Sequence, residues 1–132
     1  GLNLGENAKS ALISRSFAEM TRYAKKFKAD KNTLFGLSGL GDLILTCSSK
    51  NSRNTQFGIK LASSKYDNFL DLLKSQEVTE GYYTVKAVYN ISQKKNIDMP
   101  IMESVYNILY KQHDLKEELS NLLSRPITEE KI

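Results

Sequence analysis

A carboxylate at position 42 and the serine, arginine and asparagine at positions 52 to 54 carry the densest polar chemistry in this chain. They lie within GLSGLGDLILTCSSKNSRNTQFG, residues 36–58, where glycines, a carboxylate, hydroxyls, an amide and a guanidinium gather between amphipathic segments. Gly39 and Gly41 precede Asp42, and glycine tolerates positive φ and close backbone approach, so the spacing predicts a sharp turn that presents Asp42. Asp is also a favoured N-cap, and Leu43, Ile44 and Leu45 then form a short buried helical turn. Ser52, after the polar loop Ser48 to Asn51, starts a new helix ahead of Phe57, Ile59 and Leu61. Free backbone N–H groups at that start, with Arg53 beside them, make an anion site that a guanidinium can complete bidentately. An ordinary cap with a solvated arginine uses the same residues, and spacing alone leaves both readings open.

The order of the pieces narrows the choice. G-L-G-D-L-x-L-T-C from Gly39 to Cys47 is followed by Ser52-Arg53-Asn54, then V-T-E-G at Val78 to Gly81 and M-P-I at Met99 to Ile101. In that order and spacing the chain resembles the carboxy-terminal part of bacterial NAD(P)-dependent sn-glycerol-3-phosphate dehydrogenases. The likeness runs from A-L-I-S-R at Ala11 to Arg15 to the neighbourhood of Leu123-Ser124-Arg125. Ser16 departs from it, standing where relatives commonly have glycine, and bears on helix packing only. The resemblance implies hydride transfer between a nicotinamide cofactor, NAD or NADP, and C2 of a phosphorylated triose, interconverting sn-glycerol 3-phosphate and dihydroxyacetone phosphate for phospholipid synthesis. It further implies that Asp42 supports catalysis by hydrogen-bonding the glycerol hydroxyls or orienting a lysine base, with Thr46 nearby. Ser52, Arg53 and Asn54 then hold the phosphate, and Arg53, Val78 and Glu80 approach the cofactor.

Two parts of such an enzyme are missing from these 132 residues. No strand leads into G-x-G-x-x-G, the dinucleotide fingerprint, and no lysine stands in a context matching the family's general base. Both are expected upstream, in an N-terminal Rossmann domain, which makes residues 1–132 a single substrate-binding domain, inactive alone. The competing readings are a non-catalytic helical module that binds anions and a dimerisation element. The apolar helical faces leave a homodimer open.

Composition excludes several other classes. Lys+Arg 19 against Asp+Glu 15 gives net charge +4, enough to favour an anionic ligand, but the excess is scattered in pairs such as Lys25-Lys26 and Lys94-Lys95. Nucleic-acid binding is therefore not expected. No apolar run approaches the roughly 18 residues of a membrane span, and no signal-peptide pattern occurs, so a cytoplasmic location is expected. A single cysteine excludes an internal disulfide and a multi-cysteine zinc site, and no metal is expected. Cys47 reads as a small core residue and His113 as surface filler.

The elements that must position the site are helical throughout. Ile13, Phe17, Met20, Ala24 and Phe27 recur at steps of four and three, predicting a helix from Glu6 to Lys28 with one apolar stripe. Asp30 or Asn32 caps a second helix reaching Leu37, and further helices are expected over 53–63, 68–74 and 82–95. Pro100 starts another, since its missing N–H costs nothing in a first turn, and Leu115 to Leu123 form the last before Pro126. With no strand alternation, the fold class is all-α. The resemblance specifies a multi-helical domain of the type at the carboxy terminus of 6-phosphogluconate dehydrogenase.

Overall fold

The structure, a computed structural model, describes residues 1–63, 71–72 and 79–126. The described residues form α-helices, with no strand among them: α1 (Glu6–Lys26), α2 (Lys31–Phe35), α3 (Asp42–Ser48), α4 (Arg53–Ala62), α5 (Glu80–Lys95), α6 (Pro100–Lys111) and α7 (Leu115–Ser124). The all-α expectation holds. The expected helix over 68–74 and the polar tail 128–132 fall largely or wholly outside the described residues, as does Val78.

Several boundaries have a local cause. Asp30 accepts the N–H of Asn32 at 2.8 Å, Asp114 accepts that of Glu117 at 2.9 Å, and Pro100 occupies the first position of α6. Asn96 (φ 50°) and Gln112 (φ 58°) end α5 and α6 in the left-handed region that lets a helix terminate.

Packing builds one core from α4, α5 and α6. Phe57, Val85, Leu109 and the fully enclosed Leu72 are buried together, with Leu61, Met102, Val105 and Ile108 around them. Tyr110 donates its hydroxyl to the Tyr82 carbonyl at 2.7 Å and stacks on Tyr82 and Tyr106, so these tyrosines are structural. Burial, with neighbouring tyrosines adding to it, pushes the Tyr110 hydroxyl up to about 12, which keeps it a donor.

α1 ties the two ends together through Phe17 of its apolar stripe and through two charged side chains that the stripe does not announce. Phe17 meets Phe35 of α2 edge-on, ring centroids 5.0 Å apart. Arg15 donates to the Leu122 carbonyl of α7 at 3.1 Å. Glu19, only 3% exposed, accepts the Ile101 and Met102 N–H groups at 2.6 and 3.1 Å, capping α6 from outside its own chain segment. His113 is likewise more than filler: its Nδ1 lies 2.8 Å from Glu118 Oε1, closing the turn between α6 and α7.

Candidate functional site

Asp42 is reached through a π-helical turn, Leu37–Gly41, that runs directly into α3. The Gly41 N–H donates to the Gly36 carbonyl at 3.2 Å, five residues back, and no glycine among the described residues takes a positive φ. The expected sharp bend is thus a widened helical turn. Glycine is needed at 39 for the other expected reason, close approach. A Cβ there would collide with the Leu34 backbone, coming within 2.8 Å of its Cα and closer still to its carbonyl. Asp42 therefore stands where the π-helical turn passes into α3, its backbone N–H donating to the Leu37 and Gly39 carbonyls of that turn, with Gly41 before it also helical.

Asp42 is exposed and its carboxylate has no hydrogen-bond or ion-pair partner among the described residues, which leaves its oxygens open to a ligand or an approaching cation. The expected burial of Leu43 to Leu45 is not found: Ile44 and Leu45 are 47% and 68% exposed, and Leu37 is 91% exposed. Thr46 follows Asp42 by four residues and so shares its helical face. Its carbonyl accepts the Thr55 hydroxyl at 3.1 Å, fastening α3 to the first turn of α4.

That first turn is built as the spacing suggests. Ser52 caps α4, its Oγ accepting the Thr55 N–H at a long 3.5 Å, while Gln56 N donates to the Ser52 carbonyl at 2.9 Å. The N–H groups of Arg53 and Asn54 precede the first intrahelical bond and face no acid in their own turn. The preceding loop is pinned by Asn51 N to Ser49 Oγ at 3.2 Å and by the Gln56 side-chain amide on the Lys50 carbonyl. The Arg53 side chain is 80% exposed, and its guanidinium lies 4.0 Å from the Glu80 carboxylate, itself 90% exposed. A pair so long and so wet holds Arg53 weakly and leaves its donor fork available.

The start of α5 meets the start of α4. Thr79, the buried N-cap residue of α5, makes no side-chain cap bond, Glu80 is the first helical residue, and Gly81 lies against the Asn54 side chain. The structure thus brings Ser52, Arg53, Asn54 and Glu80 together and links Asp42 and Thr46 to them through Thr55. The role of Thr55 was not signalled by the sequence, because a threonine inside a helix has no distinctive spacing. Cys47 is half-buried, and desolvation pushes its thiol up although Lys9 opposes this, so it stays protonated and is no nucleophile. No group of acidic, histidine or cysteine side chains among the described residues could hold a metal ion, and no described helix is long and apolar enough to cross a membrane. An open groove lined by Leu2, Lys116, Leu119 and Leu123 contains none of the candidate residues.

Comparison with known proteins gives the family. The sequence profile of the family described as NAD-dependent glycerol-3-phosphate dehydrogenase C-terminus matches residues 1–120. A glycerol-3-phosphate dehydrogenase [NAD(P)+] of Ligilactobacillus salivarius is 46% identical over 131 residues, 98% of this chain and 38% of its own length. One from Brachyspira hyodysenteriae is 44% identical over 127 residues, 95% of this chain. Among solved structures, a glycerol-3-phosphate dehydrogenase from Coxiella burnetii superposes with a TM-score of 0.83 at 38% identity, covering 94% of this chain and 38% of that one. The chain spans about two fifths of the length of the relatives it matches.

Proposed function

The chain belongs to the family of NAD-dependent glycerol-3-phosphate dehydrogenase C-termini, and from that premise we propose that it is the substrate-binding domain of an enzyme interconverting sn-glycerol 3-phosphate and dihydroxyacetone phosphate. A Rossmann domain preceding it in the full-length protein supplies the dinucleotide fold and the lysine base. The observation that carries this reading is the convergence of Arg53 and Asn54, at a serine-capped helix start, with Glu80 at the start of α5. A phosphate dianion seated there gains helix N–H donors and a guanidinium fork whose present ion pair is only 4.0 Å and solvent-exposed.

Each residue has a task in that chemistry. Ser52, Arg53 and Asn54 hold the phosphate, which fixes the distance from the anchor to C2 and presents C2 for reaction. Asp42, unpartnered on the same face as Thr46, accepts from the glycerol hydroxyls or holds the incoming lysine ammonium in place. In the reducing direction that lysine gives the C2 oxygen its proton, and in the oxidising direction it takes the proton back. The nicotinamide dinucleotide, NAD or NADP, supplies the hydride to C2 or accepts it. The exposed Arg53 fork suits a cofactor phosphate as well as the substrate's, with Glu80 and Val78 completing that side. We place the enzyme in the cytoplasm, supplying glycerol 3-phosphate for phospholipid synthesis.

The decisive experiment uses the full-length protein, following NADH or NADPH oxidation with dihydroxyacetone phosphate. Arg53→Ala should lower kcat/KM by the equivalent of about 2 kcal/mol or more, the worth of a charge-assisted contact. An unchanged kcat/KM would remove the phosphate role. Phosphate binding without any turnover in the full-length wild type would favour the non-catalytic anion-binding reading.

A further inference from the structure

Gly81 sits where any side chain would strike the Asn54 amide as it stands. A Cβ built on Gly81 would lie 2.6 Å from Asn54 Oδ1 and 3.3 Å from its Cγ, while the next neighbour, Thr79 Oγ1, is at an ordinary 3.5 Å. The obstacle is therefore one side-chain amide, and the backbones of α4 and α5 are not in contact at that point. Gly81 is not strained, since no described glycine has positive φ. It also occupies the second position of a sixteen-residue helix, where a glycine is less favourable than alanine by up to about 1 kcal/mol. Local helix stability thus argues against glycine here, and the space taken by Asn54 argues for it.

We propose that Gly81 is a positioning residue for the substrate phosphate, acting through Asn54. Because it has no side chain, the Asn54 amide can rest against the first turn of α5, with its carbonyl oxygen facing Gly81. The amide nitrogen, which has no partner among the described residues, is then left to donate. A methyl group at 81 evicts the amide, and the cheapest response is rotation of the Asn54 side chain rather than movement of either helix. The phosphate then loses one placed donor while Arg53 and Ser52 stay where they are. This inference rests on the phosphate-anchoring role of Asn54 proposed above and adds to it the element that fixes the rotamer.

The test is a double-variant cycle in the full-length protein, reading KM for dihydroxyacetone phosphate, kcat and Tm. Asn54→Ala and Gly81→Ala should each raise KM about tenfold, as expected for one hydrogen bond to a charged group, with kcat changed much less. In the Asn54→Ala background, where nothing remains for a methyl to strike, Gly81→Ala should add no further change in KM. If Asn54→Ala leaves KM untouched, the anchoring role of Asn54 falls, and this inference with it. If Asn54→Ala raises KM and Gly81→Ala does not, only the positioning role of Gly81 falls. An equal KM penalty from Gly81→Ala in both backgrounds would also overturn that role, since it would mean that α5 itself had moved. Should Gly81→Ala lower Tm, adding Asn54→Ala should restore it. Failure to restore it counts against the inference.

Discussion

Glu118 carries the clearest titration consequence at the scale of single residues. It is 9% exposed, and its Oε1 lies 2.8 Å from His113 Nδ1 and accepts from Asn107 Nδ2 at 3.2 Å. Burial pushes its carboxyl up, but hydrogen bonds from His113, Ser104 and Asn107 outweigh that and hold it below the ordinary value of 4.5. A carboxyl that ionises more readily folded than unfolded contributes stability above its unfolded value and loses it as pH falls through its folded one. Thermal unfolding followed from about pH 6 to about pH 3 should therefore show an acid-side loss of Tm that Glu118→Gln makes shallower. Parallel acid limbs in the two proteins would mean that the cluster contributes nothing. Nothing local marks Glu118 in the sequence: it is one of two adjacent acids in a first turn, and only the fold sets it against His113.

At the scale of elements, caps and periodicity were legible and turn geometry was less so. Asp30, Ser52 and Pro100 start α2, α4 and α6 as their types predict, the first two because a cap satisfies N–H groups within three residues and the proline because its missing N–H costs nothing in a first turn. The glycine-rich approach to Asp42, a sharp turn by its composition, is a π-helical one. Glycine composition reports freedom, and Leu34 across the gap decides how it is used. The end of α6 offers a direct test. Gln112 takes φ 58° as the left-handed terminating residue, a conformation that costs a side-chain-bearing residue about 1 kcal/mol or more relative to glycine. Gln112→Gly should raise stability by about 1 kcal/mol in chemical denaturation. A fall would show that the Gln112 side chain contributes more than its backbone costs.

At the scale of the whole molecule, α1 acts as a tie between the segments that carry the site and those that close the fold. Its Glu19 is pushed up by burial, although N–H donors from Ile101 and Met102 pull it back, and it caps a helix more than eighty residues away in sequence. Glu19→Ala leaves two part-buried N–H groups at the start of α6 without their acceptor and should cost about 2 kcal/mol, whereas Glu19→Gln keeps an acceptor and should cost less. Hydrogen exchange at Ile101 and Met102 should quicken in the alanine variant. Equal stabilities for the alanine and glutamine variants would remove the capping role. From sequence alone came the all-α class, most helix boundaries, the family, and the neighbours Ser52, Arg53 and Asn54, because helical period, caps and short motifs are properties of residues close together in the chain. The tertiary structure alone decided that Asn54 rests on Gly81, that Arg53 faces Glu80, that Thr46 is fastened to Thr55, and that Glu19 lies inside. Those are contacts between separate helices, and what sets them is which side chains leave room for one another, a quantity no single stretch of sequence contains.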